Sequence, residues 1–296
     1  MSIVRVATRG SRLSLVQTEI ALKYISRALP GVVFEKIIVR TTGDEIDDKP
    51  ISEIGVVGAF EREVDRALLD GRADIAVHSL KDLPTRLPQD IEIVFVPPRE
   101  DPHDILIHRD GRATPLENLA SGCVIGTSSL RRRMQILSVR DDVVVKPLRG
   151  NVDTRIAKLL RGEVDAIIVA ECGVKRLGVS IEYYRLPLIP FTPAPGQGII
   201  AVTALRNHWI TRRLQNSSDP LSWRMMICER TFLREVGAGC RVPVGFVCQY
   251  REDGAATAIA NIFTGEKGVW IRRSCMGCSP EEMGLEMARL VRSIAG

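Results

Sequence analysis

No stretch of this chain is apolar for long enough to span a bilayer, and its first residues, MSIVRVATRGS, lack the apolar core of a secretory signal. No membrane is therefore expected as a partner, and the expected location is the cytoplasm. Aromatic residues make up only 5% of the chain, which leaves little for stacking on nucleic-acid bases. An excess of one charge is lacking too: 41 Lys and Arg against 36 Asp and Glu leave a net charge of +5. That surplus is too small to require nucleic acid and suits an anionic small ligand. The four histidines are dispersed, and His103 and His108 alone make no metal site. Seven cysteines, an odd number scattered through a long chain, do not form a disulfide framework. Cys123, Cys172 and Cys248 lie in or beside apolar runs and Cys228 in a helical one, so all four are expected in the core. Cys275 and Cys278 form a C-x-x-C, but no second pair or nearby histidine completes a zinc set; the pair reads as structural, and no metal is expected.

What the chain does have is arginine in unusual places. The stretch GTSSLRRRMQILSVRDDVVVKPLRGNVDTR, residues 126–155, reads as strand, turn, helix, strand, turn, helix. Ser128 and Ser129 suit a helix N-cap, and Leu130, Met134 and Leu137 mark an apolar helical face. Ile156, Leu159 and Leu160 mark the core face of the second helix. Arg131, Arg132 and Arg133 fall in the first turn of a helix, where the macrodipole disfavours cations by a few tenths to ~1 kcal/mol each. Arg149 and Arg155 flank the next helix start. Free backbone N–H groups and guanidinium forks at successive helix N-termini make a polyanion site, and carboxyl ends of strands are where open α/β sheets bind ligands. A solvated basic surface is the competing reading, and the repetition of the pattern favours binding.

The 296 residues suffice for two or three domains. A strand at 3–8 leads through Arg9, Gly10, Ser11 and Arg12 into a helix running to about Leu29, with Ser14 and Gln17 at capping-box spacing. A strand at 33–40 precedes a long charged loop, Thr41 to Val57, that suits a flexible lid. Phe60, Val64, Ala67 and Leu68 mark a helix ending at Gly71, and DIAVHS is a strand with Lys81 and Asp82 at its carboxyl end. Spacing alone reads Lys81-Asp82 as a turn before Pro84, yet an acid at a strand end in a cationic site is a candidate for handling protons. The Pro-rich crossovers PPREDP (97–102) and PFTPAPGQG (190–198) suggest a chain that leaves one α/β domain, builds a second and returns, with a hinge over a cleft. After Asp219-Pro220 a helix, three short alternating strands and a terminal helix from about Pro280 make a small α+β domain. The expected boundaries are 1–97 with 197–217 for domain 1, 98–196 for domain 2 and 218–296 for domain 3. Cys240 lies in a glycine-rich loop beside Arg241, which favours thiolate and so a covalent role, against the plainer reading of a small residue tolerated in a turn.

The motifs ATRGSRLS, ADIAVHSLKDLP, IGTSSLRRR, LRGNVDTR, VKRLG, PAPGQG and GAGCRVPVG occur in this order and at these spacings. Together they resemble the hydroxymethylbilane synthase (porphobilinogen deaminase) family over nearly the whole chain, least after Gly254. The resemblance implies two bilobal, periplasmic-binding-protein-like (type II) α/β domains plus a small C-terminal α+β domain. It implies a monomeric transferase that condenses four porphobilinogen molecules head to tail, each losing ammonia, into hydroxymethylbilane. It implies a dipyrromethane cofactor held by a thioether to Cys240. By motif match, Asp82 is the catalytic acid, and Arg9, Ser11, Lys81, Thr127, Ser128, Ser129, Arg131, Arg132, Arg149, Arg155 and Arg176 bind cofactor and substrate. Two positions depart from the family pattern: Val57 stands where a lysine is usual after the loop, and Arg12 where proline is common. A non-catalytic bilobal binder of a carboxylated or phosphorylated metabolite is the alternative; it would show the same arginine turns without needing Asp82 and Cys240 together.

Overall fold

The computed structural model describes residues 2–39, 59–237, 243–265 and 267–295. The expected lid and the loop holding Cys240, with the glycine and valine positions around 55–58, lie outside the described residues. The chain divides into two compact units, Met1–Arg99 with Ile199–Trp223, and Glu100–Gly198 with Arg224–Gly296.

In the first unit, β1 (Ile3–Arg9), α1 (Arg12–Ala28), β2 (Val33–Val39), α2 (Ala59–Leu69), β3 (Ile75–Ser79) and β4 (Ile91–Phe95) follow one another. In the second come β5 (Asp104–His108), β6 (Val124–Gly126), α3 (Leu130–Leu137), β7 (Val144–Lys146), α4 (Val152–Leu160), β8 (Ala166–Ala170), α5 (Glu171–Arg176) and β9 (Tyr184–Arg185). The chain then returns to the first unit through β10 (Ile200–Leu205) and α6 (Trp209–Leu214). It closes with α7 (Pro220–Val236), β11 (Gly245–Tyr250), β12 (Ala255–Thr264), β13 (Lys267–Met276) and α8 (Pro280–Ala295).

The two five-stranded sheets have one plan. The first runs β2-β1-β3-β10-β4 and the second β7-β6-β8-β5-β9. In each, the fourth strand is antiparallel to both neighbours and is the strand that follows a crossover, β10 in one and β5 in the other. The other neighbouring pairs, β1 with β2 and β3, and β6 with β7 and β8, are parallel. Strands buried on both faces have no polar alternation, and β8, AIIVA, is buried at every position. This is the α/β architecture expected, and β11-β12-β13 form the separate antiparallel sheet of the small α+β part. All four isolated cysteines are buried, as expected, while Cys275 and Cys278 are joined as a disulfide across the turn from β13 to α8.

Three local expectations fail, each for a physical reason. The cap of α1 is Ser11, whose Oγ accepts from Ser14 N at 3.2 Å, and Gln17 turns away to donate to Ser79 Oγ at 2.8 Å. Leu160 is 66% exposed, so α4 packs on Ile156 and Leu159, with Val152 partly buried against the same core. Most tellingly, α3 does not bury its apolar face: Leu130 is 47% exposed, and the buried side chains are Arg131, Arg132, Gln135 and Ile136. A polar face goes inward because Asp104 and the carbonyls of Ile168 and Thr192 meet most of its donors there.

The crossovers meet at Gly198, whose carbonyl accepts Glu100 N at 3.2 Å. Gly198 has φ +87°, and a Cβ there would overlap the Glu100 carbonyl oxygen. Gly198→Ala should therefore lower stability by about 2–4 kcal/mol, combining left-handed strain with overlap against backbone that cannot move aside. Urea unfolding followed by circular dichroism checks this; an unchanged midpoint would refute it.

Candidate functional site

In the first unit the site residues gather at the carboxyl ends of two neighbouring parallel strands. β1 pairs with β3 through Val6–Ile75 and Ala7–Ala76, so Arg9, at the end of β1, and Ser79, at the end of β3, leave the sheet on the same edge. Ser11 then caps α1, while Leu80–Asp82 form one turn of 3-10 helix. Leu80 anchors that turn: it is buried and donates its N–H to Ile199 O at 2.9 Å. Lys81 is half-buried, and Asp82 is exposed. Gln17, reaching from α1 to Ser79, ties the two turns together at their base.

The second unit repeats this arrangement with β6 and β7, in register at Gly126–Lys146. Ser129 caps α3, as expected, accepting from Arg132 N at 3.4 Å, and Thr127 Oγ1 accepts from Ser129 N at 3.2 Å. Ser128 Oγ donates to Leu148 O at 2.8 Å and so holds the two turns side by side. After β7 the chain turns at Gly150, φ +105°, with Arg149 before it. Arg155 folds back from α4 to donate from Nε to Gly150 O at 2.8 Å. Arg176, at the end of α5, is buried by its own partners: Nε donates to Glu100 Oε2 at 2.6 Å and Nη2 to Gly198 O at 2.9 Å. It turns away from solvent and braces the crossovers.

Arg131 and Arg132 converge on Asp104, which is wholly buried at the start of β5. Arg131 Nη2 lies 2.9 Å from Asp104 Oδ2 and Arg132 Nη2 2.7 Å from Oδ1. Gln197 Nε2 is a second donor to Oδ1, at 2.8 Å. Arg131 Nη1 also donates to Gln135 Oε1 at 2.9 Å and Thr192 O at 2.8 Å, and Arg132 Nη1 to Ile168 O at 3.1 Å. These forks do not point outward as a pair of open carboxylate clamps, as the sequence suggests; one carboxylate of the protein already takes an Nη from each. What is left is a group of net charge +1 at a helix N-terminus, with Arg132 Nε a buried donor lacking an acceptor among the described residues. Those features fit an anionic ligand group, which would supply the missing acceptor and the missing charge.

Burial alone would raise the Asp104 carboxyl, but the two guanidiniums outweigh it and hold it far below its ordinary value of 3.8. Burial pulls Arg131 down and Asp104 opposes it; a guanidinium starting at 12.5 keeps its proton at neutral pH.

Asp104, Gln135 and Gln197 escape sequence reading. One signal was present: an acid opening the otherwise apolar run DILI has no reason to be there unless a cation meets it. Asp101, His103 and Glu171 also bring metal-ligand atoms within 4.8 Å of one another. Glu171 Oε1 already takes Lys175 Nζ at 2.7 Å, Arg185 Nη2 at 2.6 Å and Tyr183 OH at 2.9 Å, so this is an ion-pair network with its cations in place.

Comparison with known proteins bears on the same segments. A family model described as the porphobilinogen deaminase dipyrromethane cofactor-binding domain matches residues 4–212, and one for the C-terminal domain of the same family matches 223–292. A probable porphobilinogen deaminase of Hyperthermus butylicus is 45% identical, over 99% of this chain and 97% of its own. A porphobilinogen deaminase of Lachnospira eligens is 39% identical, over 97% and 98%. Among solved structures, a probable amino-acid ABC transporter extracellular-binding protein of Bacillus subtilis overlaps 73% of this chain and 90% of its own, with TM-score 0.44 and 12% identity.

Asp104 has its folded value depressed below the unfolded one, so its contribution to stability is full above about pH 4 and is lost as pH falls toward the folded value. Asp104→Asn should cost about 3–5 kcal/mol near neutrality, because two buried guanidiniums lose their counter-charge, and should flatten this acid limb. Thermal unfolding of both proteins from about pH 7 to about pH 2 checks it; parallel curves would refute it.

Proposed function

The chain belongs to the porphobilinogen deaminase family, and on that premise we propose how its own residues carry out the family's reaction. It is a hydroxymethylbilane synthase: four porphobilinogen molecules are condensed head to tail, each losing ammonia, into a linear tetrapyrrole. The dipyrromethane cofactor, when bound, supplies the anchored pyrrole end from which the chain grows. In this reading Cys240 is its point of attachment. Every pyrrole unit carries an acetate and a propionate, so cofactor, substrate and product are all polycarboxylates. The observation that carries the reading is the Arg131–Asp104–Arg132 group, buried yet net cationic, with an unfilled donor at the start of α3.

Arg132 Nε and the helix N-terminus take a carboxylate, with Thr127, Ser128 and Ser129 supplying hydroxyl and backbone donors beside it. Arg131 adds its charge to the same place. Arg149 and Arg155, around the Gly150 turn, take further carboxylates, as Arg9, Ser11 and Lys81 do at the turns of the first unit. Arg176 serves chiefly by bracing Glu100 and Gly198, with its charge reaching bound carboxylates over a longer range. Asp82, exposed at the end of β3, presents a carboxylate to the pyrrole whose ammonia is leaving. It stabilises the positive charge that develops on that ring and accepts and returns the proton that C–C bond formation releases.

The reading extends to a monomer acting in the cytoplasm on a small-molecule substrate, without nucleic acid; the small net charge and few aromatic residues support it. Among the described residues no helix is long and apolar enough to cross a membrane.

Asp82→Asn should lower kcat by about 10²–10⁴-fold while the cofactor stays attached, since attachment and proton handling lie on different residues. Cys240→Ala should yield protein without a covalent dipyrrole. Tetrapyrrole formation from porphobilinogen, an acid-aldehyde colour test and intact mass measure all three quantities. Near-normal turnover in the first variant, or a dipyrrole-sized adduct in the second, would overturn the respective assignment. A wild-type protein that binds no dipyrrole and forms no tetrapyrrole would return the choice to a non-catalytic binder.

A further inference from the structure

Arg131 is aimed by more than Asp104. One helical turn along α3, Gln135 is wholly buried, and all its polar groups are engaged. Oε1 accepts from Arg131 Nη1 at 2.9 Å, and Nε2 donates to Thr192 O at 2.8 Å and to Asn261 Oδ1 at 3.1 Å. The orientation of this amide is settled by chemistry. Flipped, it would set its oxygen against two acceptors and its N–H groups against a guanidinium, losing all three bonds. Asn261 is settled in the same way, since its Nδ2 donates to Val269 O at 3.2 Å.

Asn261 belongs to the C-terminal sheet, in one cross-strand row with Gly245 and Trp270. Gly245 and Trp270, on either side of Asn261, face the second crossover. Trp270 Nε1 donates to Pro190 O at 3.1 Å, and the neighbouring Phe246 N to Pro193 O at 2.9 Å. A Cβ on Gly245 would lie 2.6 Å from Thr192 O. That Thr192 carbonyl also accepts from Arg131 Nη1. Both acceptors of Arg131 Nη1, Gln135 Oε1 and Thr192 O, are therefore held by residues on which the C-terminal sheet rests.

Apolar side chains would dock this sheet at lower cost, because buried amides must first give up their water. A fully satisfied Gln–Asn pair adds direction. We propose that Gln135, itself held by Asn261, is a positioning residue that fixes the Arg131 guanidinium where its charge reaches a carboxylate bound at the start of α3, and so couples the C-terminal sheet to that helix. This rests on the reading of Arg131 given above.

The test is a double-mutant cycle on the complete, cofactor-loaded enzyme, with Gln135→Leu, Arg131→Lys and both together, reading KM for porphobilinogen, kcat and thermal midpoint. Gln135→Leu should raise KM about tenfold with kcat changed less than about threefold, and should add nothing further in the Arg131→Lys background, since both act through one guanidinium. A loss of thermal stability alone would not produce that non-additivity. Should Gln135→Leu fail to fold, Asn261→Leu takes its place in the cycle, with an expected KM rise of about threefold that again vanishes beside Arg131→Lys. KM effects that multiply independently, or a KM unchanged by the substitution at position 135 or 261, would overturn the proposal. If Arg131→Lys itself leaves KM and cofactor loading at wild-type values, the carboxylate role of Arg131 falls instead, and the two failures are told apart.

Discussion

A buried carboxylate shared by two guanidiniums organises the second unit. Asp104 gives the two buried guanidiniums their counter-charge, and they in turn hold its carboxyl well below the usual carboxylate range against the pull of burial. Such a group is a poor source of net stability, since the desolvation of three charges offsets most of their attraction. Its value lies in geometry and in sign. It holds one positive charge in excess at the N-terminus of α3, where a lone arginine in water would be free to swing, and among the described residues it leaves Arg132 Nε without an acceptor. Around it, Gln197 from the second crossover and the Thr192 carbonyl make the same group a junction between the sheet, the crossover and the helix.

The repeated sheet plan places this junction. Each five-stranded sheet takes its antiparallel fourth strand from a chain crossing, so the crossovers are built into the sheets and are more than linkers. Asp104 stands at the first residue of such a strand, immediately after a crossover. Arg176 clasps Glu100 and the Gly198 carbonyl in the same region. The cations nearest the crossovers are thus held by crossover residues of their own unit. The C-terminal sheet joins in through Asn261 and Gln135, which makes its docking a matter of direction as well as of apolar burial.

Most elements were legible in the sequence because they follow from short-range signals: apolar runs rich in β-branched residues for β1, β3, β6, β8 and β10, glycine stops after α2 and α5, and serine caps. Of Ser128 and Ser129, which local spacing offers together as the cap of α3, Ser129 is the one, since a cap answers to residues only three away. The cap of α1 was misplaced from Ser11 to Ser14 because both serines satisfy the local rule, and the choice turned on Gln17 being drawn off to Ser79, distant in sequence. The face of α3 was misread for a related reason. Periodicity assigns apolar residues to the interior, and Leu130 obeyed the pattern while the protein buried Arg131, Arg132 and Gln135 instead. Nothing within one helix announces that a carboxylate 27 positions earlier is waiting beneath it.

By itself, then, the sequence determined the elements, the two crossovers, the family and the kinds of residue available for binding polyanions, all of which are set by local propensity and motif spacing. Only the tertiary structure decided where those residues point: which arginines are spent on Asp104, Glu100 and backbone carbonyls, and which donor is left over. The physical reason is that a guanidinium's direction depends on its acceptors. Those acceptors, Asp104, Ile168 O and Thr192 O, come from β5, β8 and a crossover that lie beside α3 only once the chain has folded.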